Sequence, residues 1–167
     1  MELTDFYGLS MNPFAKDAIR EEDCFESTDI RMTLNRMNYL KDVRGIGVFT
    51  ASSGMGKSFC LRCFSHSLNK SLFDMKYICL TTVSVGDFYK LLCDALGLEA
   101  KGGKTAMFRD IKDRIFYLYQ EKKQPLIITI DEAQYLSNVV LKDLKMLMNF
   151  NYDSLNCFTL ILCGEPY

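Results

Sequence analysis

The stretch "VFTASSGMGKSF", Val48 to Phe59, decides how the rest of the chain is read. It passes from an apolar, strand-like run into a loop of small residues, and then through a lysine and a serine into a helix. Eight positions, Ala51, Ser52, Ser53, Gly54, Met55, Gly56, Lys57 and Ser58, follow the pattern G-x-x-x-x-G-K-S/T with only the first glycine changed, to alanine. A phosphate bound by backbone needs inward-turned N–H groups, permissive dihedrals and the positive end of a helix dipole beneath it. Gly54 and Gly56 supply the permissive positions, and Lys57 the charge that reaches the β- and γ-phosphates. Ser58 offers a hydroxyl to Mg²⁺, and Ser53, Met55 and Phe59 complete the expected cradle. Ala51 is small enough if its φ stays negative. The competing reading is a strand-to-helix turn with an incidental Lys-Ser.

Downstream, "PLIITIDEAQ" is an apolar strand with Asp131 and Glu132 at its end. An aspartate there can hold Mg²⁺ through water or the serine hydroxyl, and the adjacent glutamate can orient and activate the water that attacks a γ-phosphate. The pair equally suits the start of the following helix, where acids favour the positive dipole end. Near the C-terminus, "LCGEPY" sets Glu165 at the end of a strand, either to sense the γ-phosphate or the attacking water, or as part of an ordinary turn. Residues Tyr7 to Phe14, with the helix from Thr28, are candidates to wall a base pocket or simply to pack an N-terminal segment.

The remaining elements alternate. A helix is expected from Thr28 with Leu34, Met37 and Leu40 on one face, then the strand "IGVFT" and a helix over Lys57 to Leu68. The strand "KYICLTT" follows, then a helix opened by Ser84 and stopped by Gly97, and another carrying Phe108, Ile111, Ile115 and Leu118 on one stripe. "LIITI", the helix "SNVVLKDLKMLMNF" and the strand "FTLILCG" close the chain. Strands alternating with helices imply a parallel sheet layered between helices, with ligands at the carboxyl ends of the strands.

Composition narrows the classes. The 167 residues suit one domain with a real core, and a formal charge of -1 announces no polyanionic partner. No apolar run is long enough for a bilayer span and no secretory signal opens the chain, so the cytoplasm is the expected compartment and no membrane contact is expected. Seven cysteines, scattered and odd in number, read as reduced thiols. "CLRC", Cys60 and Cys63, lacks a second ligand pair and reads as buried small residues on a helix rather than a metal or redox site. The lone histidine, His66, cannot anchor a metal by itself.

Taken together, "FYGLSMNPF", "GVFTASSGMGKSF", "LIITIDEAQYLS" and "LILCGEPY" resemble the ExeA/TnsC-like branch of the AAA+ ATPases, which includes secretion-accessory ATPases and ATP-binding helpers of transposons. The resemblance implies a P-loop NTPase three-layer α/β/α sandwich with a mainly parallel sheet. It divides the chain into an N-terminal segment and helix, residues 1–44, flanking a P-loop core, residues 45–167. Gly54, Gly56, Lys57 and Ser58 match the Walker A positions, Asp131 and Glu132 match Walker B, and Glu165 falls near the first sensor, where the family usually carries a neutral polar residue. ATP and Mg²⁺ are the implied ligands, Lys57 and Glu132 the implied catalytic residues, and Ser58 and Asp131 the implied metal residues. The family continues into a fifth core strand, an arginine finger and a helical lid, so the chain reads as the front part of an AAA+ core with weak or no turnover by itself.

Three roles follow from this likeness. The first is an ATP-dependent regulator of DNA transposition that assembles on DNA, recruits or licenses a transposase and forms an ATP-dependent homo-oligomer, with "KGGK" and Arg109 as a modest basic candidate surface. The second is an accessory ATPase of protein secretion. The third is a nucleotide-gated interaction module without turnover.

Overall fold

The computed structural model describes residues 3–9, 12, 27–81 and 84–166. A short helix α1 (Leu3–Tyr7) is followed by α2 (Thr28–Val43), β1 (Ile46–Thr50), α3 (Lys57–Ser67), β2 (Asp74–Cys79), α4 (Val85–Ala95), α5 (Lys104–Gln120), β3 (Leu126–Asp131), α6 (Asn138–Leu147) and β4 (Phe158–Gly164). Among the described residues the strands form one sheet in the order β1-β4-β3-β2 with every pairing parallel.

Every residue of the two central strands, "LIITID" and "FTLILCG", is buried, as unbroken apolar runs must be when helices cover both faces. Their side chains divide with period two. Ile127, Ile161 and Cys163 pack on one face with Met37 of α2 and Leu61 and Phe64 of α3. Leu126, Ile128, Ile130, Phe158 and Leu160 pack on the other with α4, α5 and α6. These are the three layers implied by the order of elements. The edge strand β1 alternates instead, with Ile46, Val48 and Thr50 exposed. Deleting a buried branched side chain here, as in Ile128→Ala, costs about 2 to 5 kcal/mol, read from denaturant unfolding.

Local chemistry sets the ends of the elements. Ser27, Ser84 and Ser137 cap α2, α4 and α6, each accepting a backbone N–H through its hydroxyl oxygen. Buried Thr159 donates its hydroxyl to the Leu40 carbonyl at 3.3 Å, tying the end of α2 to β4. Some ends differ from the sequence expectation. β2 starts at Asp74 and finishes at Cys79, because Asp74 to Cys79 pair in register with Leu126 to Asp131. α6 stops at Leu147, three residues short of Phe150, which instead bridges to Leu155 across a turn with positive φ at Asn151, Tyr152 and Asp153. α5, whose sequence pattern "TAMFRDIKDRIFYLYQEKK" extends to Lys123, stops at Gln120, and Lys123 takes a positive φ of 54°.

Candidate active site

The carboxyl ends of β1, β3 and β4 bring the sequence candidates to one place. From β1 the chain enters the loop Ala51 to Gly56, with Gly54 at φ 78° and Gly56 at φ 85°, both in the left-handed region that side chains disfavour. Gly56 is the N-cap of α3 and gives it no side-chain cap, so the first turn of α3 presents its backbone donors toward the loop. Ser53 and Met55 lie exposed on the loop, and Phe59 sits half-buried in the first turn of the helix.

Lys57 folds back over the loop. Its ammonium donates to the Ala51 carbonyl at 2.8 Å and to the Ser52 carbonyl at 3.2 Å, and it lies 3.6 Å from Glu165 Oε1. Ser58, one residue on, donates to Asp131 Oδ2 at 2.8 Å across 73 positions of sequence. Asp131 is 2% exposed and accepts two further hydrogen bonds, from the Tyr77 hydroxyl at 2.8 Å and from the Glu132 backbone N–H at 3.0 Å. A buried carboxylate requires such donors, and this one has three. Tyr77 sits diagonally across the β2–β3 pair, with Cys79 directly opposite Asp131. Burial of its hydroxyl, and then the adjoining Asp131, push the Tyr77 phenol above its ordinary range.

Glu132 follows β3 in the left-handed region, at φ 58°, and starts a 3-10 turn over Ala133–Tyr135. Its Oε2 accepts from the Gln134 side-chain amide at 2.6 Å, while Gln134 Oε1 accepts the Glu165 backbone N–H at 3.1 Å. Gln134 thus links the ends of β3 and β4. The close approach needs Gly164, because a Cβ there would meet Gln134 Oε1 at 2.7 Å.

A cavity of about 400 Å³ opens between α2, β1 and the start of α3, with Asp29, Thr33, Thr50, Met55, Lys57 and Cys163 in its wall. Burial, with Asp131 and Cys60 adding to it against the opposing Lys57, pushes the Cys163 thiol up to about 12. α2 therefore lines this pocket, while its Met37 also packs in the core. Among the described residues, Tyr7, Gly8, Leu9 and Asn12 do not line it. Ser10, Met11, Pro13 and Phe14 lie outside the described residues, as does Cys24.

Other candidates take other places. Cys60 and Cys63 are buried on α3, and His66 is exposed. The basic candidate surface is neutralised by neighbours. Lys101 lies 2.6 Å from Glu99, Lys104 lies 2.6 Å from Asp143, and Arg109 lies 3.7 Å from Asp110. No helix among the described residues is long and apolar enough to cross a membrane. Sequence reading missed two site residues. Tyr77 carries no motif signal, whereas Gln134 stands in "DEAQ" two positions after Glu132 and was open to notice.

A parallel α/β/α sandwich with a glycine loop running from β1 into α3 and an Asp-Glu pair ending β3 defines the class of P-loop nucleoside triphosphatase folds. The crystal structure of Cdc6p from Pyrobaculum aerophilum has this fold, superposing with a TM-score of 0.66 at 15% identity over 86% of this chain and 40% of that one. The chain belongs to the AAA domain family, whose model matches residues 40–167. It is also similar to general secretion pathway protein A of Aeromonas hydrophila, at 28% identity over 166 residues. That match takes in 98% of this chain and 30% of the relative, so the chain spans less than a third of the relative's length.

Proposed function

We propose that this AAA domain binds ATP with Mg²⁺ in the cleft between α2 and the loop Ala51 to Gly56, and turns over ATP there. The observation that carries the reading is the meeting of Ser58 with Asp131 at 2.8 Å, beside Lys57, at the carboxyl ends of parallel strands. The donor set fits both ligands. Loop amides, the α3 N-terminus and Lys57 suit phosphate oxygens, and a hydroxyl beside a carboxylate suits a hard cation that prefers oxygen.

Each residue has a task in this reading. Backbone N–H groups from Ser53 to Phe59 hold the phosphates, with Gly54 and Gly56 letting the chain turn around them. Lys57 exchanges its two loop carbonyls for β- and γ-phosphate oxygens. Ser58 and Asp131 would hold Mg²⁺, which would supply positive charge against the negative charge that develops on the phosphates. Glu132 orients a water toward the γ-phosphate and receives its proton at a carboxylate oxygen. α2 and the cavity wall take the nucleoside.

For the wider role we favour an ATPase of protein export, since the relative that matches almost all of this chain is named as a secretion pathway protein. The transposition role has no such support, and the "KGGK" region with Arg109, its candidate DNA surface, carries a carboxylate beside each of those three cations. A nucleotide-gated module without turnover shares the same site and differs only in chemistry at Glu132.

The test is titration of a fluorescent ATP analogue with Mg²⁺ into the wild-type chain and Lys57→Ala, with phosphate release followed in the same samples. Loss of a charge-assisted phosphate contact predicts a fall in affinity of about 100-fold or more. Equal binding by the two proteins overturns the assignment of the loop.

A further inference from the structure

Just beyond the carboxyl end of β4 an acid stands within reach of the lysine. Glu165 Oε1 lies 3.6 Å from Lys57 Nζ, with 11% of the lysine side chain and 41% of the glutamate side chain exposed. This position is fixed by backbone. The Glu165 N–H donates to Gln134 Oε1, and Gly164 before it leaves the space that Gln134 fills.

A terminal phosphate oxygen taken up by Lys57 has to displace this carboxylate or sit against it. Both groups are anionic, and like charges a few ångströms apart in a partly buried cleft repel far more than they do in open water. A nucleoside diphosphate ends one phosphate earlier, so Lys57 meets only its β-phosphate and no γ-phosphate oxygen is set against Glu165.

We propose that Glu165 is a specificity-determining residue, whose carboxylate competes with the γ-phosphate for Lys57 and shifts the site toward nucleoside diphosphate. The inference rests on the phosphate-loop reading of Lys57 and adds to it the means by which di- and triphosphate are told apart. A neutral side chain at this position would give Lys57 wholly to the incoming phosphate. An acid makes the loaded triphosphate state depend on some further positive charge to offset it.

The test compares Mg²⁺-ADP with a non-hydrolysable Mg²⁺-ATP analogue, each titrated into wild type, Glu165→Gln, Glu165→Ala and Lys57→Ala, by displacement of a fluorescent nucleotide. Removing the charge should tighten triphosphate binding about tenfold and leave diphosphate binding within about twofold in both Glu165 variants. Two different replacements guard against an effect of one side chain's shape, and thermal melts establish that each is folded. An unchanged ratio, or weaker triphosphate binding in Glu165→Gln, overturns the proposal while the phosphate-loop reading stands on the loss seen in Lys57→Ala. Equal binding by Lys57→Ala and wild type overturns both.

Discussion

Asp131 and Glu132 are neighbours in sequence, yet their carboxylates live in opposite circumstances. Asp131 ends a fully buried strand and is held by two hydroxyls and a backbone N–H. Glu132 is half-buried, on left-handed backbone, and its carboxylate is held by the amide of a side chain two residues away. Burial makes the difference, because a buried carboxylate must be saturated with donors and saturation fixes its direction. One acid is a fixed post on the Ser58 side. The other is held by the Gln134 amide, on the side where Lys57 and Glu165 meet.

The widest break in that comparison is Glu132→Gln. A side chain that orients and deprotonates water contributes roughly 10² to 10⁴ in rate, so phosphate release should fall by that much while nucleotide affinity stays within about threefold. The nucleotide-gated module without turnover predicts the same amount of ATP-bound form in wild type and variant, which trapping of labelled nucleotide on both checks directly.

Asp131→Asn attacks the other side. The amide keeps the shape but turns a donor toward hydroxyls that need acceptors, which costs about 1 to 3 kcal/mol of unfolding free energy. The Mg²⁺-dependent part of nucleotide binding should drop about tenfold alongside it. Stability unchanged in a urea melt would mean that the three donors to Asp131 do not hold it.

Tyr77→Phe is subtler, removing one of those donors and nothing else. The expected loss is about 0.5 to 1.5 kcal/mol in the same melt, with Mg²⁺-free nucleotide binding unaltered. The smallest effect belongs to Gln134→Ala, which frees the Glu132 carboxylate without removing it. Turnover should fall by only about three- to tenfold, through lost orientation, with about 0.5 to 1.5 kcal/mol lost in the melt as the Glu165 N–H loses its acceptor. A drop as large as that of Glu132→Gln would make Gln134 a chemical participant rather than a positioning residue.

Much of this was legible beforehand, for identifiable reasons. The glycine loop and the acids after "LIITI" are contiguous strings whose spacing states their geometry, and buried parallel strands are written as unbroken apolar runs. Tyr77 was not legible, because its role comes from the register of β2 on β3 and lies 54 residues from its partner. The helix from Ser137 looked longer than it is, since Met148 and Phe150 continue the apolar spacing. Tertiary contacts overrule that spacing, as both residues are buried in the core beyond the end of α6. Pairing of Lys104 with an acid was equally invisible, as Asp143 reaches it from another helix.

The left-handed backbone at Glu132 has a consequence for anyone improving this protein by selection. L-residues with a long side chain pay roughly 1 to 2 kcal/mol to sit at such a φ, whereas glycine and asparagine tolerate it. A library sorted for heat resistance alone should therefore drift toward asparagine or glycine at position 132, and the winners would be sturdier chains that had given up the residue on which turnover is proposed to depend.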